Sequence, residues 1–321
     1  MTIRTSGSAR LQALTAKLIA DMPPVDKIRG SRFFKQETIS DIEASAITYT
    51  GLGYGRAMPD GATYTTDDWN VGHKKTVKLS TWSNAVACTR KLAKARPTEA
   101  ARARAMLRPS YVKTKESQYS LMPYYGLEGR TTPTNGGNPL IQATASDLLS
   151  YFNVAHTYVG SSQTLANIPT SSVGDITFGV AGVIKMNQLK RAQRGYDGEQ
   201  YFDEQIDWVI GDDLLTQAGV IFRSEGDPES ANRGLNATKF ASPMGTGAQT
   251  YTHWNKLQTT QFMGRYDVGS EYPGWVEYIF EDLRPISYQS DDEERMITGW
   301  QYTNAITGMN PRAYFNCYQP V

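Results

Sequence analysis

Hydrophobic positions change period several times along the chain, and the changes mark out its elements. Leu11, Leu14 and Leu18 recur at helical spacing between Ser8 and Asp21, and Pro23-Pro24 ends the short amphipathic helix they predict. Phe33, Phe34, Ile39, Ile42 and Ile47 follow without a clean period, and Gly51-Leu52-Gly53-Tyr54-Gly55 reads as a turn and hinge. Pro59-Asp60-Gly61 is a tight-turn signal between two extended runs, so residues 55–82 read as a long β-hairpin. Its return strand includes Val77 and Leu79 on one face and Lys78 and Ser80 on the other.

After Trp82 the pattern turns helical. Residues 85–94 and 98–107 are rich in Ala, Leu, Arg and Lys, and the predicted helix is interrupted at Pro97 and stopped near Pro109. Tyr111, Val112, Tyr119, Leu121, Tyr124 and Tyr125 come next, and residues 131–139 form a polar loop. In the second half a helix is predicted over residues 177–194, with Val180, Val183, Ile184 and Ala192 near one face, Asp175 or Thr177 at its start and Gly195 at its end. Residues 200–210 read as a strand, Asp212 is placed to cap a short helix over residues 213–215, and residues 224–247 are an irregular loop. Residues 275–280, 296–302 and 313–318 read as closing strands.

Charge changes the picture. Residues 74–115 hold twelve Lys or Arg and one carboxylate, Glu99, leaving 21 basic and 31 acidic residues elsewhere. A local +11 is therefore offset by −10 over the rest, and the overall +1 hides it. Such a chain is complementary to copies of itself or to a polyanion. The stretch has three readings: a solvated helix face, a phosphate-binding surface with Trp69 and Trp82 available for stacking, or a contact with acidic surfaces of neighbouring subunits. Segregated charge in a neutral whole favours the third.

Candidate chemistry is sparse. His73, His156 and His253 fall in no metal-ligand spacing, no Gly-x-Ser-x-Gly elbow occurs, and the phosphate-binding and dinucleotide fingerprints are absent. Cys88 and Cys317 are far apart and form no CxxC, which fits a reducing compartment. Asp212-Asp213 and Asp291-Asp292-Glu293-Glu294 read as solvated or ion-paired turns before they read as a cation site. With 321 residues, 19 Tyr, 10 Phe and 6 Trp, the chain can bury a large core. No stretch approaches 18 apolar residues, so no membrane partner is expected.

In this order the elements resemble the major capsid proteins of tailed bacteriophages with the Hong Kong 97-like fold. The run from Lys74-Lys75-Thr76-Val77-Lys78 through Trp82-Ser83-Asn84 to Arg90-Lys91-Leu92 looks like a hairpin's return strand entering a spine helix. Ile184-Lys185-Met186-Asn187-Gln188-Leu189 with Asp212-Asp213-Leu214-Leu215, and Ile297-Thr298-Gly299-Trp300 with Asn310-Pro311-Arg312-Ala313, are similar to later elements of the same proteins. The resemblance implies an α+β chain with an N-terminal arm (1–50), an extended hairpin loop (51–82), and a spine helix with peripheral and axial domains (83–321). The alternative is an all-β viral jelly roll whose basic stretch binds nucleic acid.

The resemblance further implies a shell subunit with no catalytic site, cofactor or metal. Its partners would be many copies of itself, packaged nucleic acid and other virion proteins. Its location would be the virion, and the host cytoplasm before assembly. Lys74, Lys75, Lys78, Arg90, Lys91, Lys94, Arg102 and Arg104 are the expected inter-subunit or nucleic-acid contacts.

Overall fold

A computed structural model describes residues 28–41, 43–49, 71–89, 91, 95–135, 138–194, 207–223, 250–258, 260–266, 273–289 and 295–318. The helix expected around Leu11 to Leu18, the turns at residues 51–61, the loop at 224–247 and the acidic run at 291–294 lie outside these residues, as do Arg90 and Lys94. Four strands come first: β1 (Lys35–Thr38), β2 (Glu43–Tyr49), β3 (Val71–Lys78) and β4 (Ser80–Thr89). Helices α1 (Pro97–Ala105), α2 (Leu107–Tyr125) and α3 (Val180–Arg191) follow, then β5 (Asp207–Ile210), α4 (Leu215–Arg223), β6 (Thr250–His253) and β7 (Phe262–Arg265). The chain closes with β8 (Trp275–Gln289), β9 (Arg295–Gly308) and β10 (Tyr314–Asn316).

Two four-stranded sheets organise these elements. The first has the order β1-β8-β9-β4, with β1 parallel to β8 and the other pairs antiparallel. The long β8–β9 ladder runs from Trp275 opposite Gly308 to Gln289 opposite Met296. Helix α2 packs on this sheet through Leu107, Tyr111, Tyr119 and Met122, a stripe at helical period. Tyr111 meets Trp300 and Tyr302 edge-on, each at 5.7 Å, and the Trp300 indole N–H donates to Leu107 O at 3.2 Å.

The second sheet has the order β6-β5-β7-β10, with β6 parallel to β5. Its core joins Trp208, Ile210 and Phe262 to Val183 and Met186 of α3 and to Ala218, Ile221 and Phe222 of α4. The main core bridges the two sheets. Trp275 of the first stacks on Tyr314 of the second at 4.0 Å and 11°, and Val209 and Met263 bury in the same cluster.

Three local expectations are corrected. Residues 85–89, read as the start of a helix, belong to a strand paired along β9 from Ser80 opposite Asn304 to Thr89 opposite Arg295. Trp82, Val86 and Cys88 turn inward while Thr81, Ser83, Ala85 and Ala87 stay exposed. That alternation of period two, together with the ladder, outweighs the helix propensity of Ala. The interruption expected at Pro97 is present, as a break at Arg96 between helical Ala95 and α1, which Pro97 opens; Pro109, however, stops nothing and lies in the first turn of α2, which runs on to Tyr125. In a first turn the missing proline N–H would have no intrahelical acceptor in any case. Asp212 does not cap: it is the first residue of a 3₁₀ turn (Asp212–Leu214) whose N-cap is Gly211.

Gly308 marks the tightest point between the β9 end and α2. A Cβ there would stand 2.2 Å from the Tyr151 ring and 2.8 Å from both Thr144 O and the Met122 methyl. Tyr151 is held in place, its hydroxyl donating to Asn310 O at 2.7 Å. Gly308→Ala is therefore expected to lower stability by about 3 kcal/mol, the upper range for overpacking, measured as a fall in the urea midpoint.

Candidate assembly surface

Strand β3 supplies the basic surface. It pairs with β2 in antiparallel register, Glu43 opposite Lys78 and Tyr49 opposite Val71, so the return strand of the hairpin lies where the sequence places it. The partner strand lies at residues 43–49, earlier than the run after Gly55 that was expected to pair with it. Alternation along β3 sends Lys74, Thr76 and Lys78 outward and Lys75 and Val77 inward. Lys74 and Lys78 are exposed and have no ion-pair partner among the described residues.

Lys75, expected at the exposed contact, is buried instead. Its Nζ donates to Thr144 O at 2.7 Å, to Thr307 Oγ1 at 2.5 Å and to Gly308 O at 3.4 Å. Sharing a face with Val77, it follows that residue into the subunit. Val77 packs with Val276, Tyr278, Ala305 and Met309. The hairpin is thus fastened to the body through the inward face of β3 while the outward face stays free.

The second basic group is helical. Lys91 and Arg102 are exposed and Arg104 is half-buried. Glu99, the one carboxylate of the stretch, is taken by Arg96 at 3.1 Å. Arg102, Arg104, Arg108 and Lys113 therefore form a run along α1 and α2 without an ion-pair partner among the described residues. The structure separates this run from the β3 lysines by the whole of β4, so the basic stretch of the sequence is two surfaces, not one.

A different set of charges holds the core, and the sequence reading did not single it out. Lys115 of α2 forms a buried ion pair with Glu277 Oε1 of β8. Glu277 Oε1 also accepts from Asn304 Nδ2 at 2.5 Å, and its Oε2 accepts from the Tyr119 hydroxyl at 2.5 Å. The Lys115 ammonium lies 4.2 Å from the centre of the Tyr302 ring. Burial pulls Lys115 below its ordinary value, with Glu277 opposing, and pushes the Tyr119 and Tyr302 hydroxyls up. One signal was available: Lys115 is four residues from Tyr111 and four from Tyr119, on the apolar stripe of its own helix.

A second buried pair lies below the hairpin. His156 Nδ1 is 2.9 Å from Asp147 Oδ2, and its Nε2 is 2.9 Å from Tyr151 O. Burial raises Asp147, but the hydrogen bond and charge of His156 and the amides of Thr157 and Leu149 outweigh it and hold the carboxyl below its usual value. His253, at the end of β6, is hydrogen-bonded to Asp212, so that carboxylate is engaged by a residue distant in sequence.

None of these groups converges on a reactive centre. A groove of about 520 Å³ between β4 and α2 is lined by Trp82, Met106, Pro109, Lys113, Ser117 and Leu121, with no carboxylate, histidine or cysteine among them. Both cysteines are buried free thiols, and burial pushes Cys317 up to about 12. No group of three or more metal-ligating side chains occurs among the described residues, and no described helix is long and apolar enough to cross a membrane.

No protein-family model matches the chain, and no curated protein matches it in sequence. Solved structures do. The capsid of an empty GTA particle matches with a TM-score of 0.53 at 9% identity, over 94% of this chain and 91% of that one. The capsid of the native GTA particle matches with a TM-score of 0.51 at 10% identity, over 94% and 92%. The chain has a Hong Kong 97-like capsid fold. In such a fold the 19 residues of α2 and the parallel pairs β1–β8 and β6–β5 are at home. An all-β jelly roll, built of antiparallel strands, accommodates neither, and that alternative is set aside.

Proposed function

We propose that the chain is a major capsid protein, a structural subunit that self-assembles into an icosahedral shell enclosing a nucleic-acid genome. The observation that carries this reading is the likeness to two capsid structures over nearly the full length of each chain. In this reading α2 is the spine helix, the β1-β8-β9-β4 sheet belongs to the peripheral domain and the β6-β5-β7-β10 sheet to the axial domain. The protein works by assembly and catalyses no reaction. It resides in the virion, and in the host cytoplasm before assembly, where its partners are copies of itself, the packaged nucleic acid and other virion proteins.

The two basic surfaces take different partners. Lys74 and Lys78, carried outward on the hairpin, meet acidic surfaces of a neighbouring subunit; the −10 balance outside residues 74–115 supplies them. Arg102 and Arg104, with Lys91 and the flanking Arg90 and Lys94, meet phosphate. Lys75 serves the subunit's own fold and leaves the contact set. Many weak contacts repeated by symmetry then add to a stable shell.

Charge reversal tests the division. Lys74→Glu with Lys78→Glu is expected to abolish particles while lowering the unfolding free energy by no more than about 1 kcal/mol, the cost of a second carboxylate opposite Glu43 at an exposed site. Arg102→Gln with Arg104→Gln is expected to leave particles intact and reduce the nucleic acid retained in them, read as the ratio of absorbance at 260 to 280 nm. Particles from the lysine variant at the yield of the unaltered chain would remove the hairpin from the contact.

A further inference from the structure

The fastening of β3 has a property that shell building does not require. Lys75, 2% exposed, is surrounded by three uncharged acceptors: Thr144 O, Thr307 Oγ1 and Gly308 O. No carboxylate contacts it among the described residues. Two positions along the strand, His73 Nε2 is 3.0 Å from Thr157 O. The Thr157 amide donates to Asp147 Oδ2 at 3.1 Å, the same oxygen that meets His156. Nearer the body, Gln142 Nε2 donates to Lys78 O at 3.4 Å. Opposite, Tyr278 packs in the Val77 cluster, its hydroxyl pushed up to about 12 by burial and by Glu37.

We propose that Lys75 is a proton-linked clasp, docking the β2–β3 hairpin on its own subunit by entering the site as a neutral amine, so that docking tightens with rising pH and loosens toward neutrality. The site offers Nζ only uncharged acceptors: the carbonyl oxygens of Thr144 and Gly308 and the hydroxyl oxygen of Thr307, whose own proton is directed to Gln142 O or Gly308 O at 3.3 Å. An ammonium in the same place loses its hydration and gains no contacting anion. Burial brings Lys75 down from 10.5 to about 7, Asp147 opposing from a distance.

The sign follows from proton counting. An undocked hairpin exposes Lys75 to water, where it titrates near 10.4, as lysines in peptides do. Between about 7 and that value the undocked form binds more protons, so the docking constant rises with pH, by up to about tenfold per unit, and is flat below about 7. Tyr278 keeps its proton through most of the window. Lys74 and Lys78, on the outward face, change their surroundings little on docking. The clasp is internal to one chain, so its test is separate from that of the shell.

Hydrogen exchange of the β3 amides, followed on the unassembled full-length chain at pH 7, 8 and 9 and corrected for intrinsic rates, reads the docking constant. The opening constant is expected to fall about tenfold per unit in the unaltered chain and in His73→Asn, and to lose its pH dependence in Lys75→Met. An opening constant independent of pH in the unaltered chain, or an equal slope in Lys75→Met, overturns the proposal. Should Lys75→Met fail to fold, an NMR titration of the Lys75 Cε in the unaltered chain decides alone. A midpoint near 7 supports the clasp, and one near 10 overturns it.

Discussion

Lys115→Met alone is expected to destabilise the subunit by about 3–5 kcal/mol, while the double change Lys115→Met with Glu277→Gln restores most of that loss. The asymmetry comes from burial. Glu277 is fully buried on the face of β8 that meets α2, and removing Lys115 leaves its carboxylate with only the Tyr119 hydroxyl and the Asn304 amide. A charge without its counter-charge in that surrounding costs far more than the pair contributes over a neutral substitute. A glutamine at 277 can still bond Tyr119 and Asn304, and methionine fills the volume of the lysine stem. Urea unfolding of the two variants measures the difference. Equal destabilisation in the single and double variants would mean that the pair's own attraction, not the stranded carboxylate, dominates.

Replacing residues 50–70 by a short glycine-serine turn joining β2 to β3 is expected to leave the subunit folded and abolish shell formation. The two strands keep their register from Glu43–Lys78 to Tyr49–Val71, and Lys75 and Val77 keep their sites in the body. The unfolding midpoint should therefore move little. Assembly should fail because each lost contact is lost in every copy, so that one contact of about 1.4 kcal/mol already shifts the association constant tenfold. Sedimentation across a concentration series distinguishes the outcomes. A variant that builds shells at the threshold concentration of the unaltered chain would show that residues 50–70 are no part of the contact.

The sequence carried the order of elements better than their boundaries. The return strand of the hairpin was legible because Val77 and Leu79 alternate with Lys78 and Ser80, and α3 because Val180, Val183 and Ile184 recur at helical spacing. Strand β4 was misread because Ala85 and Ala87 carry helix propensity while its strand character depends on β9, more than 200 residues away. Pro109 looked like a stop because a proline signals an end or a first turn with equal force until the flanking helix is seen. The site residues divided by depth. The structure leaves Lys74 and Lys78 on the outward face, whereas Lys75 was counted with them by charge although its parity with Val77 assigned it inward. The Lys115–Glu277 pair escaped because a charged residue on an apolar stripe acquires meaning only when its partner, 162 positions on, is brought beside it.

Electron microscopy of the purified, full-length chain concentrated at low and at physiological ionic strength tests the central claim most directly. The account predicts closed shells of uniform diameter built from this chain alone or with its virion partners. A protein that remains monomeric at every concentration and ionic strength, with and without those partners, would contradict it.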